Sequence, residues 1–264
     1  MPYIKANKTN LYYEIHGKGN PLVLVTGYCG NTFNWSLILN DLKKHFQCLI
    51  FDNRGTGLSD VPDGTYSVED MAADTIDLIN KLGFKKTHIY GNSLGGAIVQ
   101  TMAYKYSDQI DRVIIGNSTA KFNAQMLFAA KNFIDYYEKN SDLLEQAKLW
   151  LPILMSENFI THEANLKAYF ENSINNPKPI SLKGMIAQYA GMHTFDSRKW
   201  VDKITHRCLI LSGDEDLICL PKESQYLHEH IKNSQLHIFK HCGHLPHIEY
   251  PQLNNEIIMN FLQG

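Results

Sequence analysis

The sequence predicts an α/β fold: a mostly parallel β-sheet with helices on both faces and a helical cap inserted into it. Three observations carry this. Short, largely apolar runs at residues 21–25, 48–51, 112–116 and 208–213 have the length and character of strands buried on both sides. Stretches with helical spacing separate most of them, the alternation that builds a parallel sheet. Between residues 121 and 192 the alternation stops, and a stretch rich in Met, Phe, Tyr and Trp takes its place, too long and too apolar for a loop. Residues 1–120 and 193–264 are therefore expected to form the core, and 121–192 the cap.

Taken in order, residues 2–16 alternate as two strands and end at the turn cluster Gly17-Lys18-Gly19-Asn20. The buried strand 21–25 runs into Thr26-Gly27-Tyr28-Cys29-Gly30-Asn31. A helix is expected over 33–44, then the strand 48–51 and a glycine-rich loop over 52–60. Ser67-Val68-Glu69-Asp70 has the pattern of a helix start, and Gly83 ends that helix. A β-branched and aromatic run then leads into Gly91-Asn92-Ser93-Leu94-Gly95-Gly96, followed by a helical stretch and the strand 112–116. After the cap come the strand 208–213, a helix over 221–230 with proline near its start, a last strand at 235–239 and a closing helix at 251–262.

The composition excludes several roles. A net charge of −2 across 264 residues offers no electrostatic footprint for nucleic acid. No run of 18 apolar residues would span a bilayer, and the N-terminal residues lack the layout of a signal peptide. The five cysteines, Cys29, Cys48, Cys208, Cys219 and Cys242, are odd in number with no Cys-x-x-Cys pair. A reduced, cytoplasmic setting is expected.

The chemistry centres on Ser93. A Gly-x-Ser-x-Gly turn between a strand and a helix holds a hydroxyl at the tip of a turn too sharp for bulky neighbours, with helix N–H groups close by. Serine needs a base, and the base an orienting carboxylate. In an open parallel sheet these belong in loops that follow strands. Gly213-Asp214-Glu215-Asp216 and His241-Cys242-Gly243-His244-Leu245-Pro246-His247 are such loops, and both lie downstream of the serine.

These motifs together resemble the α/β-hydrolase superfamily, in the branch of small capped esterases and lactonases, including enol-lactonases and carrier-protein methylesterases. Gly91 to Gly96 resembles the nucleophile elbow. Asp52-Asn53-Arg54-Gly55-Thr56-Gly57-Leu58-Ser59 resembles the branch's Asp-x-Arg-Gly-x-Gly-x-Ser loop. Gly213-x-x-Asp216 and Gly243-His244-x-x-His247-x-Glu249-x-Pro251 resemble its acid and histidine motifs. The resemblance implies Ser93 as nucleophile, His244 as base and Asp216 as acid. Asp214, Glu215, His241 and His247 are the competing residues in the same loops. The alternative acid position of the superfamily reads Gly116-Asn117-Ser118, without a carboxylate. Oxyanion donors would be the backbone N–H groups of Leu94 and Tyr28, although Thr26 stands where most relatives carry histidine. Arg54 is expected to stabilise its loop, and Arg198 to pin the chain's return to the sheet.

The implied reaction is hydrolysis of a carboxylic ester or lactone with a small-to-medium apolar acyl group, using no metal and no organic cofactor. The partner is then a small-molecule substrate; oligomeric state is not legible. A C–C hydrolase acting on a meta-cleavage product is the alternative. Such enzymes typically use a cap arginine, and residues 121–192 contain none, with seven lysines matched by seven acidic residues. A carrier-protein methylesterase would show a basic face. A slow or non-catalytic ligand receptor on a retained triad is the reading from another class.

Overall fold

Apolar side chains on successive strand residues need cover on both sides, because neighbours in a strand point to opposite faces. The computed structural model describes residues 2–176 and 178–264 and meets that need with a single eight-stranded sheet. Met1, at the start of the N-terminal stretch, and Pro177, within the expected cap, lie outside the described residues. The strands are β1 (Tyr3–Ala6), β2 (Thr9–His16), β3 (Asn20–Val25), β4 (Phe46–Phe51), β5 (Thr87–Asn92), β6 (Ile110–Gly116), β7 (Arg207–Gly213) and β8 (Ser234–Phe239). Their spatial order is β1-β2-β4-β3-β5-β6-β7-β8. The two pairs involving β2 are antiparallel and the remaining pairs parallel.

Along β3, Leu22 and Leu24 pack on one face with α1 (Ser36–Leu42) and the C-terminal helix Pro251–Gln263. Val23 and Val25 pack on the other with α2 (Val68–Lys81) and α3 (Leu94–Lys105). α2 starts as its sequence predicts: Ser67 Oγ accepts the Asp70 N–H while the Asp70 carboxylate accepts the Ser67 N–H. The helix expected over 33–44 is shorter. It opens with a 3-10 turn at Thr32–Trp35, tightened by a reciprocal Asn31–Asn34 cap, and ends at Leu42, where hydrogen-bonded turns to Lys44 and His45 lead into β4.

Among the described residues, five α-helices stand between β6 and β7: α4 (Ala124–Lys139), α5 (Leu143–Leu154), α6 (Glu157–Ile160), α7 (Glu163–Ile174) and α8 (Leu182–Thr194). Asn123, Asp142, Ser156 and Ser181 each accept an N–H from the first turn that follows them. α4 packs on α8 and α5 on α7. The stretch departs and returns at one place, where Lys121 and Asp196 form an isolated antiparallel bridge and the Ser197 N–H donates to Ala120 O at 2.8 Å. Arg198 sits here too, with both guanidinium contacts on Asp196. The chain closes with α9 (Pro221–His230), α10 (Pro246–Glu249) and α11 (Pro251–Gln263). The one-turn α10 was not predicted from sequence. Among the described residues no helix is long and apolar enough to cross a membrane.

Candidate active site

The parallel register brings the carboxyl ends of β3, β5, β6, β7 and β8 side by side: Val25 lies opposite Gly91, Asn92 opposite Gly116, Gly116 opposite Leu211 and Gly213 opposite Phe239. The loops beyond these ends hold Tyr28, Ser93, Asp216 and His244, as expected for an open parallel sheet.

Ser93 occupies the turn between β5 and α3 with φ 58° and ψ −119°, a conformation that non-glycine residues rarely adopt. Such a backbone costs about 1–3 kcal/mol and persists only where its surroundings force it. Here the Ser93 N–H donates to Gly116 O at 2.8 Å, and Ser93 O accepts the Ser118 hydroxyl at 2.7 Å. The glycines are required by contact: a Cβ on Gly91 would lie 2.0 Å from Gly95 O, and one on Gly95 would lie 2.1 Å from Val25 O. Ser93 thus sits at the N-terminus of α3, where helix amides favour developing negative charge.

The acid and histidine loops meet above β7 and β8. Asp216, 1% exposed, accepts four hydrogen bonds. Its Oδ1 takes the N–H groups of Ile218 and Cys219 at 2.8 and 2.9 Å; its Oδ2 takes Asn117 Nδ2 at 3.0 Å and His244 Nδ1 at 2.8 Å. A buried carboxyl group so surrounded by donors is held in one orientation. With Nδ1 committed, the other ring nitrogen of His244 is free to act as a base. Ser93 and His244 line the same cavity. Among the described residues no hydrogen bond joins Ser93 Oγ to His244; such contacts are often long without substrate and tighten in the complex.

The competing residues make other contacts, although His247 also lines the cavity. Asp214 accepts the Cys242 N–H and faces Lys240, while Glu215 accepts the Glu157 N–H and approaches the exposed His241 at 3.5 Å. His247 is buried against Trp35, ring centroids 5.1 Å apart. Burial, reinforced by the neighbouring His244, pushes its pKa down to about 3. Arg54 makes a two-pronged contact with Asp74, both bonds 2.6 Å, and so braces its loop against α2. Asp52 is equally architectural, taking the N–H groups of Thr32 and Leu58.

On the remaining side is the loop after β3. The Gly30 N–H donates to Gly27 O, and Cys29 takes φ 65°. A Cβ on Gly27 would lie 2.9 Å from Ser93 Cβ, so this loop touches the elbow. Among the described residues neither the Tyr28 nor the Leu94 N–H donates to another group of the protein.

Three residues that sequence reasoning did not single out for a role belong to this site. Asn117, at the strand end noted for lacking a carboxylate, donates to Asp216 and to Gly243 O. Glu249, part of the histidine motif, accepts the N–H of Gly243 and Ser156, tying the histidine loop to the turn after α5. Gln188 of α8 reaches the loop after β3, and no local pattern marks it.

The cavity, about 560 Å³, lies between the sheet and the inserted helices. Trp35, Leu217, Phe133, Trp150 and Tyr169 supply apolar walls; Asn123, Gln125, Gln146, Asn165, Asn172 and Asn176 supply side-chain amides. Among the described residues no Lys, Arg, Asp or Glu lines it. No group of three or more His, Cys, Asp or Glu among the described residues is placed to hold a metal ion.

Comparison with known proteins agrees with this architecture. The chain is 25% identical to "Putative carbamate hydrolase RutD" of Agrobacterium fabrum, over 96% of its own length and 98% of that protein's. It is 24% identical to 2-hydroxymuconate semialdehyde hydrolase of Pseudomonas sp. strain CF600, over 97% and 90%. Among solved structures it superposes on a thermophilic esterase from Thermogutta terrifontis with TM-score 0.87 and 25% identity, over 99% and 97% of the two chains. Residues 20–251 match the family model described as the alpha/beta hydrolase fold, and with the whole sheet and its loops accounted for, the chain belongs to that family of hydrolases.

Proposed function

We propose that this hydrolase is a carboxylic-ester hydrolase acting on uncharged esters or lactones through an acyl-enzyme on Ser93. The observation that carries the reading is the convergence, on one cavity, of a strained serine at a helix N-terminus and a histidine fixed by a fully hydrogen-bonded buried carboxylate. Ser93 Oγ attacks the substrate carbonyl while His244 removes its proton, and Asp216 stabilises the imidazolium. The N–H groups of Leu94 and Tyr28 receive the oxyanion. Collapse of the tetrahedral intermediate breaks the C–O bond, and His244 returns the proton to the departing alcohol. Water, deprotonated by His244, then releases the acid and restores Ser93. Residues 121–192 act as the cap over this site, and residues 1–120 and 193–264 as the core that carries the chemistry.

The absence of charged side chains from the described lining supports a neutral acyl group. A substrate carboxylate, such as that of a meta-cleavage product, would meet a described lining that holds no Lys or Arg to receive it. The test is hydrolysis of p-nitrophenyl esters of increasing chain length, with p-nitrophenyl hemisuccinate as the charged control, by the wild type and by Ser93→Ala. Turnover of neutral esters should exceed that of the hemisuccinate about tenfold and fall by about 10⁵ in the variant. Equal activity in the two proteins would remove Ser93 as nucleophile.

A further inference from the structure

The loop that is to receive the oxyanion is held from two sides that differ in kind. At its base, Thr26 is fixed by the core: Asn53 Nδ2 donates to Thr26 O at 3.2 Å, and Thr26 Oγ1 donates to Gly30 O at 3.2 Å. At its tip, Tyr28 and Cys29 pack against Phe133, Ile134 and Met185 of the inserted helices, with Cys29 in the left-handed region. Both hydrogen bonds made by this tip go to the inserted helix α8. The Tyr28 hydroxyl donates to Met185 O at 3.1 Å, and the Cys29 N–H donates to Gln188 Oε1 at 3.2 Å.

Gln188 is fully buried, an expensive place for a long polar side chain unless both ends of its amide are used. Both are. Its Nε2 donates to Arg54 O at 3.1 Å, and Arg54 is itself locked by its paired contacts with Asp74. One side chain therefore joins three segments: the tip of the loop after β3, the loop after β4 and the inserted helix. The peptide it holds, through Cys29 N, is next in the chain to the peptide that carries the Tyr28 N–H. Holding the first limits rotation of the second.

We propose that Gln188 is a positioning residue that sets the Tyr28 N–H for the transition state, resting on the reading of Ser93 and this loop given above. It touches neither substrate nor reacting atoms. Its effect belongs to the tetrahedral species, where the oxygen moves into the hole, and not to ground-state binding.

The experiment compares the wild type with Gln188→Met, which keeps length but makes neither bond, and Gln188→Glu, which keeps the acceptor for Cys29 N–H. Steady-state hydrolysis of p-nitrophenyl butyrate and inhibition by butylboronic acid, whose adduct on Ser93 places a boron-bound oxygen in the hole, are measured on each. Gln188→Met should lower kcat by about 10- to 100-fold with KM within about twofold, and weaken boronate inhibition by a similar factor. Gln188→Glu should be impaired at neutral pH, because an ionised carboxylate faces Arg54 O without a proton to donate. Its activity relative to wild type should recover as falling pH protonates the new carboxyl, a rescue that a merely structural role would not produce. A folded Gln188→Met with wild-type kcat and boronate affinity overturns the proposal. So does a Gln188→Glu whose activity ratio is flat with pH, which decides the matter if the methionine variant does not fold. If the wild type neither hydrolyses the ester nor binds the boronate, the underlying reading of the site falls and this one with it.

Discussion

The two walls of the cavity are built by opposite means. On the sheet side, Asp216 has all its contacts inside the protein, Ser93 is held in a strained backbone by neighbours on β6 and α3, and the glycines around it leave no space for a Cβ. On the inserted side, the wall mixes apolar surface with uncharged amides such as Gln146 and Asn172: Phe133 stacks on Trp150 at 3.8 Å between ring centroids, and α7 buries none of its residues. On the proposed mechanism, the difference follows from the tasks. Proton transfer and charge stabilisation need placement to a few tenths of an ångström, which buried directional bonds supply. Apolar recognition is proportional to area and tolerates a change of shape. The sheet wall is suited to fixing the reaction, the helical wall to choosing the substrate.

The largest test of this contrast falls on Asp216. Asp216→Asn keeps the shape but loses the charge and the acceptor that fixes the His244 tautomer, so kcat should fall by about 10⁴ with little change in thermal midpoint. A drop of tenfold or less would mean that the sheet wall's bonding is architectural. An intermediate effect concerns acid stability. His247 titrates near 6.5 when unfolded and near 3 when folded, so between those values the unfolded chain binds the extra proton. Stability is therefore retained above pH 6.5 and lost below it, by about 1.4 kcal/mol per pH unit from this residue. His247→Gln should flatten the decline in denaturant midpoint between pH 6.5 and 5; an unchanged slope would place the acid sensitivity elsewhere. The smallest effect belongs to the helical wall. Trp150→Ala should move the preferred ester to a longer chain and change KM several-fold while leaving kcat on the shortest ester within about threefold. A large loss of kcat there would erase the division between the walls.

What was legible in the sequence follows the same line. The strands could be read because a strand covered on both faces must be apolar at every position, as in Leu22-Val23-Leu24-Val25. The loops bearing Ser93 and Asp216 could be read because each directly follows a buried strand, and the loop of His244 because it follows the last strand of the sheet. Arg54's bracing role was legible from its motif, though Asp74 as its partner was not, since a two-pronged ion pair across twenty residues leaves no local pattern. Asn117 and Gln188 were invisible for a related reason: each acts on a segment distant in sequence, and an amide at a strand end or inside a helix is common. The helices of 121–192 were expected as a group, but which of their aromatic residues face the cavity depends on packing that periodicity does not encode.

The pairing of Lys121 with Asp196 has an evolutionary consequence. The inserted stretch leaves and rejoins the core at adjacent residues, so its two chain connections to the core lie side by side. Lengthening, trimming or replacing what lies between leaves the strand order as it was and changes closure entropy only slowly, by about 0.6 kcal/mol per doubling of length. Such a molecule can acquire a new substrate by exchange of one module while its chemistry is inherited intact. On the role proposed for Gln188, its reach to the tip of the β3 loop is a contact that an incoming module would have to recreate.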